Sequence, residues 1–90
     1  GPPRRAPAPR LNASVSRVAA ADAGVTSSEE AYRLSRIGFE AGRISQLELR
    51  GTRAALITAR NAAVDARLAR VRAEIDLARL QGRAPFGGAQ

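Results

Sequence analysis

The sequence predicts an all-α fold, a long antiparallel helical hairpin of the coiled-coil type, on three observations. Apolar residues recur at alternating spacings of three and four within two segments, at about residues 11–41 and 46–81. Between them stand a glycine, a serine and a glutamate, in an order typical of one helix ending and another beginning. Four of the five prolines lie within the first ten residues, so neither segment contains this helix breaker.

These observations divide the chain into three regions. Residues 1–10 form a leader rich in proline and arginine, which we expect to be extended or disordered. Gly1-Pro2 resembles the remnant of tag removal, so this boundary is expected to be engineered. Residues 11–82 form the hairpin, with its turn at 42–45, and residues 83–90 form a flexible tail.

The first arm carries its apolar residues on one stripe, with Asn12 or Ser14 as the predicted N-cap. The stripe comprises Leu11, Val15, Val18, Val25 and Tyr32, and it continues on a neighbouring line at Leu34, Ile37, Ala41 and Ile44. Gly24 and the residues that follow it are weak helix formers, which leaves a break at 24–28 open. A continuous helix is the preferred interpretation.

The second arm has a near-heptad pattern, which we predict to face the first arm. Its members are Leu47, Ala54, Ile57, Val64, Leu68, Val71, Ile75 and Ala78, with Arg50 and Asn61 as polar interruptions. Four leucines lie off this line, at positions 49, 56, 77 and 80. Apolar residues on more than one side indicate a helix with several neighbours.

The turn between the arms is the most strongly specified part of the sequence. Gly42 suits the position just past a helix end, where a left-handed conformation is needed. Ser45 and Glu48 have the spacing of a capping box. A loop this short forces the two helices to lie antiparallel.

Composition excludes most catalytic chemistry. The 90 residues include no cysteine, methionine, tryptophan or histidine, and half of the 40 hydrophobic residues are alanine. Glu29 and Glu30 point about 100° apart on a helix, and Ser45 has no imidazole to activate it. We therefore predict no enzyme activity, no catalytic residue, no cofactor and no metal site. The thin core predicts partners or oligomerisation.

The charge distribution leaves a second class of function open. All 15 basic residues are arginine and the net charge is +7, which is typical of proteins that bind nucleic acid or an anionic surface. Four of these arginines lie in residues 1–21, where no acid occurs, and the rest alternate with acids. Arg53, Arg60 and Arg67 form a row without interleaved aromatic residues. Nucleic acid is disfavoured, and a basic coiled-coil hairpin remains the alternative.

Two stretches, EEAYRLSRIGFEAGRISQLELRGTRAAL and ARLARVRAEIDLARLQGRAPFGG, carry a family resemblance over about residues 17–88. The first resembles the Ala-Tyr-x-x-(aromatic)-x-x-Gly-x-x-Ser-x-x-x-Leu pattern of TolC-like outer-membrane efflux factors, and is closest to their heavy-metal branch. An efflux adaptor hairpin is a further alternative, but its pattern expects an arginine and a leucine where Leu34 and Gly38 stand.

The resemblance implies a role that spacing alone does not. Such proteins are trimers in the outer membrane of Gram-negative bacteria, and their hairpins form a periplasmic α-barrel that meets a periplasmic adaptor in a tripartite pump. This chain would be a fragment of that barrel. The adaptor-contacting tip would comprise Gly38, Phe39, Gly42, Arg43, Ile44, Ser45 and Gln46.

Overall fold

Two long helices joined by a tight turn make up the part of the chain that the computed structural model describes, residues 9–82. Helix α1 spans Pro9–Glu40 and helix α2 spans Gln46–Leu80. No strand occurs within residues 9–82. The molecule extends 61 Å along its longest axis, consistent with helices of 32 and 35 residues that rise about 1.5 Å per residue. The prediction of an all-α antiparallel hairpin is confirmed.

Helix α1 begins earlier than expected and does not break. Pro9 is its first residue, a position where proline is favourable because the first helical amides have no intrahelical partner. Pro9 and Arg10 are therefore helical, contrary to the prediction of an extended leader through residue 10. The helix continues through residues 24–28. The predicted disorder of residues 1–8 and flexibility of residues 83–90 fall outside the described residues.

The predicted N-cap of α1 is wrong. Asn12 and Ser14 both lie within the helix. The Ser14 hydroxyl donates instead to the carbonyl oxygen of Leu11 at 2.8 Å, and Ser14 is 2% exposed. A small hydroxyl that bonds back to its own helix satisfies its hydrogen-bonding potential and leaves room for the opposite helix.

The interface between the helices is built mainly from small side chains. From α2 the buried residues are Leu56, Ala63, Ala66 and Ala73, and from α1 they include Ser14 and Val18. Half-buried residues continue the same heptad lines, at Leu49, Thr52, Ala59 and Leu77 on α2 and at Leu11, Ala21, Val25, Ser28, Tyr32 and Ser35 on α1. Alanine and serine at these positions let the two backbones approach closely.

The predicted seam of α2 is wrong, because most of its large residues face away from α1. Leu47, Ile57, Val64, Leu68 and Val71 are between 48% and 76% exposed. The true seam is centred about 150° around the helix from the predicted one, and it includes three of the leucines predicted to lie off it, Leu49, Leu56 and Leu77. We call the exposed residues Ile57, Val64, Leu68 and Val71 the outer stripe.

Candidate docking tip

The end of α1 is closed by a Schellman motif centred on Gly42. The Arg43 amide donates to the carbonyl oxygen of Gly38 at 2.7 Å, and the Gly42 amide donates to that of Phe39 at 2.9 Å. Gly42 has a φ of 75°, the left-handed conformation that this motif requires. The motif satisfies carbonyl groups at the helix end and reverses the chain within a few residues.

The start of α2 is fixed by the predicted capping box. The Glu48 amide donates to the Ser45 hydroxyl at 3.0 Å, and the Ser45 amide donates to the Glu48 carboxylate, also at 3.0 Å. Ser45 itself is extended, with φ −82° and ψ 162°. Two amides that would otherwise lack intrahelical partners are therefore bonded by side chains. The turn is held at both ends by local interactions.

Between these two motifs, Ile44 folds back onto the last turn of α1. Gly38 is buried, and a Cβ atom built on it would lie 3.4 Å from Cγ2 of Ile44. Ile44 is half-buried. A hydrophobic contact between the residues that follow a Schellman motif and the end of the helix is a common companion of that motif.

The structure brings the seven predicted tip residues together but exposes them unequally. Gly38 lies in the interior of the turn and Ile44 is half-buried. Phe39, Gly42, Arg43, Ser45 and Gln46 are exposed. The Ser45 hydroxyl is already engaged in the cap. Among these exposed residues, Phe39 and Arg43 carry the largest side chains.

Sequence reasoning missed one residue of the tip. The heptad pattern predicts Leu47 in the seam, but it is 76% exposed in the first turn of α2, next to Gln46. The sequence pattern that indicates its exposure is the heptad line of Leu49, Leu56, Ala63 and Leu77. When this line forms the interface, position 47 falls outside it. An exposed leucine in the first turn of α2 adds apolar area to the end of the hairpin.

Ion pairs along the hairpin use several of the arginines. Arg67 binds Asp22 through two hydrogen bonds of 2.9 and 3.0 Å, and Arg60 lies 3.6 Å from Glu29. Both pairs join α2 to α1. Within α1, Arg33 pairs with Glu30 at 2.6 Å.

The Glu30–Arg33 pair changes the ionisation of both groups. Its hydrogen bonds, at 2.6 and 3.1 Å, favour the charged forms. They lower the pKa of the Glu30 carboxyl and raise the pKa of the Arg33 guanidinium. Both side chains are more than half exposed, so solvent screens the pair and its effect on stability is small.

Neither a cluster of metal ligands nor a helix able to cross a membrane occurs within the described part of the chain. Residues 9–82 contain no group of three or more aspartate or glutamate side chains placed to hold a metal ion. Neither α1 nor α2 contains an 18-residue stretch apolar enough for a helix that crosses a bilayer.

Comparison with known proteins identifies the family. The family model described as outer membrane efflux protein matches residues 8–83, which include both helices and the turn. No curated protein and no solved structure matches the chain. Because the family model covers most of the chain and the structure has the hairpin that the resemblance implied, the chain belongs to the outer membrane efflux protein family.

Proposed function

We propose that the chain is a periplasmic hairpin of an outer-membrane efflux channel, and that its tip docks onto the tip of a periplasmic adaptor in a tripartite export pump. One observation carries the proposal. Motifs on both sides fix the turn, and it presents Phe39, Arg43 and Leu47 at the end of the two-helix arm. A rigid, partly apolar tip suits docking because little conformational entropy is lost on binding.

The exposed surface of α2 supports assembly into a larger wall. The outer stripe lies on the side of α2 that faces away from α1, and its four residues are between 48% and 56% exposed. Apolar side chains at this spacing pack well against another helix. The proposed parent channel is a homotrimer, and its wall is formed by hairpins of this kind. The hairpin then acts by binding and by lining a conduit, without catalysis.

The proposal extends to the class of substrate that the parent channel exports. The residues of the tip resemble the heavy-metal branch of the family most closely, so we propose metal ions as the substrate class. Export of metal ions and of organic compounds by cells that carry the parent channel, compared with cells that lack it, distinguishes the two. Loss of protection against organic compounds alone would overturn the heavy-metal assignment.

Binding of the purified chain to the hairpin of an adaptor encoded with the parent channel tests the docking proposal. The matched variant is Gly42→Val with Ser45→Ala, which removes both motifs of the turn. We expect saturable binding at physiological salt that this variant loses. Weak affinity is expected because one hairpin lacks the multivalency of a trimer.

Duplex DNA serves as the control for the alternative function, binding to nucleic acid. Two arginines of the row on α2, Arg60 and Arg67, are already paired with carboxylates of α1, which lowers the positive charge available to phosphates. DNA binding that falls steeply as salt rises from about 50 to 200 mM, with no adaptor binding, would overturn the docking proposal in favour of a basic hairpin.

A further inference from the structure

A regular pattern of ion pairs joins the two helices and stops short of the tip. Asp22 pairs with Arg67, and one heptad closer to the tip Glu29 pairs with Arg60. In both pairs α1 supplies the acid and α2 the arginine. One heptad further on, the corresponding residues are Arg36 on α1 and Arg53 on α2. This third position carries arginine on both helices.

The same two arginines line a groove on one side of the hairpin. The groove has a volume of about 420 Å³, and its other lining residues include Tyr32, Leu56 and Ile57. Leu56 is buried in the helix interface, and Ile57 is the outer-stripe residue nearest the tip. The lining of the groove therefore combines apolar side chains with guanidinium groups.

The charges of the groove are not balanced by the described part of the chain. Arg33 and Arg60 also line it, but each is held by a carboxylate of α1, Glu30 and Glu29 respectively. Arg36 and Arg53 form no ion pair with any carboxylate between residues 11 and 82. Two guanidinium groups around one groove repel each other, and an entering carboxylate would relieve that repulsion.

The groove adjoins the outer stripe, which indicates the shape of its occupant. Ile57 belongs to both surfaces, and Val64, which lines the next groove along the same side, continues the stripe. Apolar residues at heptad spacing are complementary to the ridge of a neighbouring helix. A helix that lies on this stripe would carry one of its side chains into the groove between the arginines.

We propose that this groove and the adjoining outer stripe bind an acidic amphipathic helix, whose carboxylate enters between Arg36 and Arg53 and whose apolar face covers Ile57 and Val64. This lateral site is separate from the tip. Arg36 lies four residues before the end of α1 and Arg53 seven residues after the start of α2, so the site is about 6–10 Å below the turn. The inference does not depend on adaptor docking.

Two synthetic helical peptides, used as probes against the whole chain, test the proposal. Each has about three heptads with leucine at the apolar positions, and they differ only in one central residue, glutamate or glutamine. Binding is measured by fluorescence anisotropy at about 0.15 M salt. We expect the glutamate peptide to bind about five- to tenfold more tightly, because its carboxylate forms charge-assisted hydrogen bonds.

Matched variants test whether the preference for glutamate depends on the two arginines. Arg36→Gln with Arg53→Gln should abolish the preference for glutamate while leaving the apolar contribution in place. The control is Arg72→Gln, an exposed arginine of α2 that lines neither groove and lies about 28 Å along the helix from Arg53. It should keep the full preference. Circular dichroism checks that each variant remains helical.

Several outcomes would overturn the inference. Equal binding of the two peptides, or no binding, would show that the arginines do not select a carboxylate on a helix. Duplex DNA binding that depends on Arg36 and Arg53, without peptide preference, would identify a phosphate site instead. Self-association of the chain in sedimentation, lost in the Arg36→Gln, Arg53→Gln variant, would identify a second copy as the occupant.

Discussion

Gly38 lies beneath Ile44, so close that a Cβ atom on Gly38 would be 3.4 Å from Cγ2 of Ile44. This contact joins the last turn of α1 to the chain that leads into α2. The space suffices for a methyl group in ordinary van der Waals contact but not for a branched side chain. The shape of the tip therefore depends on a small residue at position 38.

The first prediction concerns the size of that residue. Gly38→Ala should raise stability by up to about 1 kcal/mol, because alanine prefers a helix and its methyl group would meet Ile44 at an ordinary van der Waals distance. Gly38→Val should displace Ile44 and lower stability by about 1–3 kcal/mol. Gly24→Ala is the control, because nothing lies within 4 Å of its Cβ position, and it should raise the melting temperature. A stabilising Gly38→Val would contradict the packing described.

The second prediction compares two glycines by backbone conformation. Gly42→Ala places a side chain at φ 75° and should destabilise the hairpin by about 1–2 kcal/mol. Gly51→Ala lies in the interior of α2 with open space around it, and should stabilise by up to about 1 kcal/mol. Thermal unfolding followed by circular dichroism measures both. Effects of the same sign would show that the left-handed turn does not determine the end of α1.

The third prediction tests the cap of α2. Ser45→Ala removes the side-chain acceptor for the Glu48 amide and should cost about 1 kcal/mol. Ser45→Asp keeps an acceptor at the same position and should preserve most of the stability. Urea unfolding of the three proteins provides the comparison. If the alanine and aspartate variants are equally stable, the capping box contributes nothing to the turn.

The fourth prediction tests the interface that the structure shows. Ala63 is 6% exposed and faces α1, so Ala63→Leu should overpack the interface and cost about 1–3 kcal/mol. Ala62 is adjacent but exposed, and Ala62→Leu should change stability by less than about 0.5 kcal/mol. Thermal unfolding distinguishes the two variants. A larger loss of stability in Ala62→Leu than in Ala63→Leu would mean that another face of α2 packs on α1.

The turn was predictable from sequence because its determinants are local. Gly42, Ser45 and Glu48 act on backbone groups within a few residues, so their spacing alone indicates which amides and carbonyls they satisfy. The continuous course of α1 followed similarly from its helical pattern. Local chemistry also explains why Pro9 could begin a helix that was expected to start later.

The interface was not predictable in the same way. Helix α2 has two heptad patterns whose centres lie about 150° apart, one with larger side chains at Ile57 and Val64 and one with small residues at Ala63 and Ala66. Hydrophobicity alone favours burying the larger ones. The structure buries the pattern of small residues because α1 also presents small residues, such as Ser14 and Ala21, and the two backbones approach closely. Position 47 was misassigned for the same reason.

Docking through the tip is tested most directly by a pair of leucines. Leu47 is 76% exposed at the tip and Leu80 is 86% exposed at the opposite end of α2. Neither packs in the interface, so truncation of either to alanine should leave the fold intact.

The measurement is the affinity of the Leu47→Ala and Leu80→Ala chains for the adaptor hairpin. We predict that Leu47→Ala weakens binding about fivefold or more, as expected for the loss of a buried apolar contact, while Leu80→Ala binds like the unaltered chain. Equal affinity of all three chains, or a loss confined to Leu80→Ala, would contradict docking through the tip.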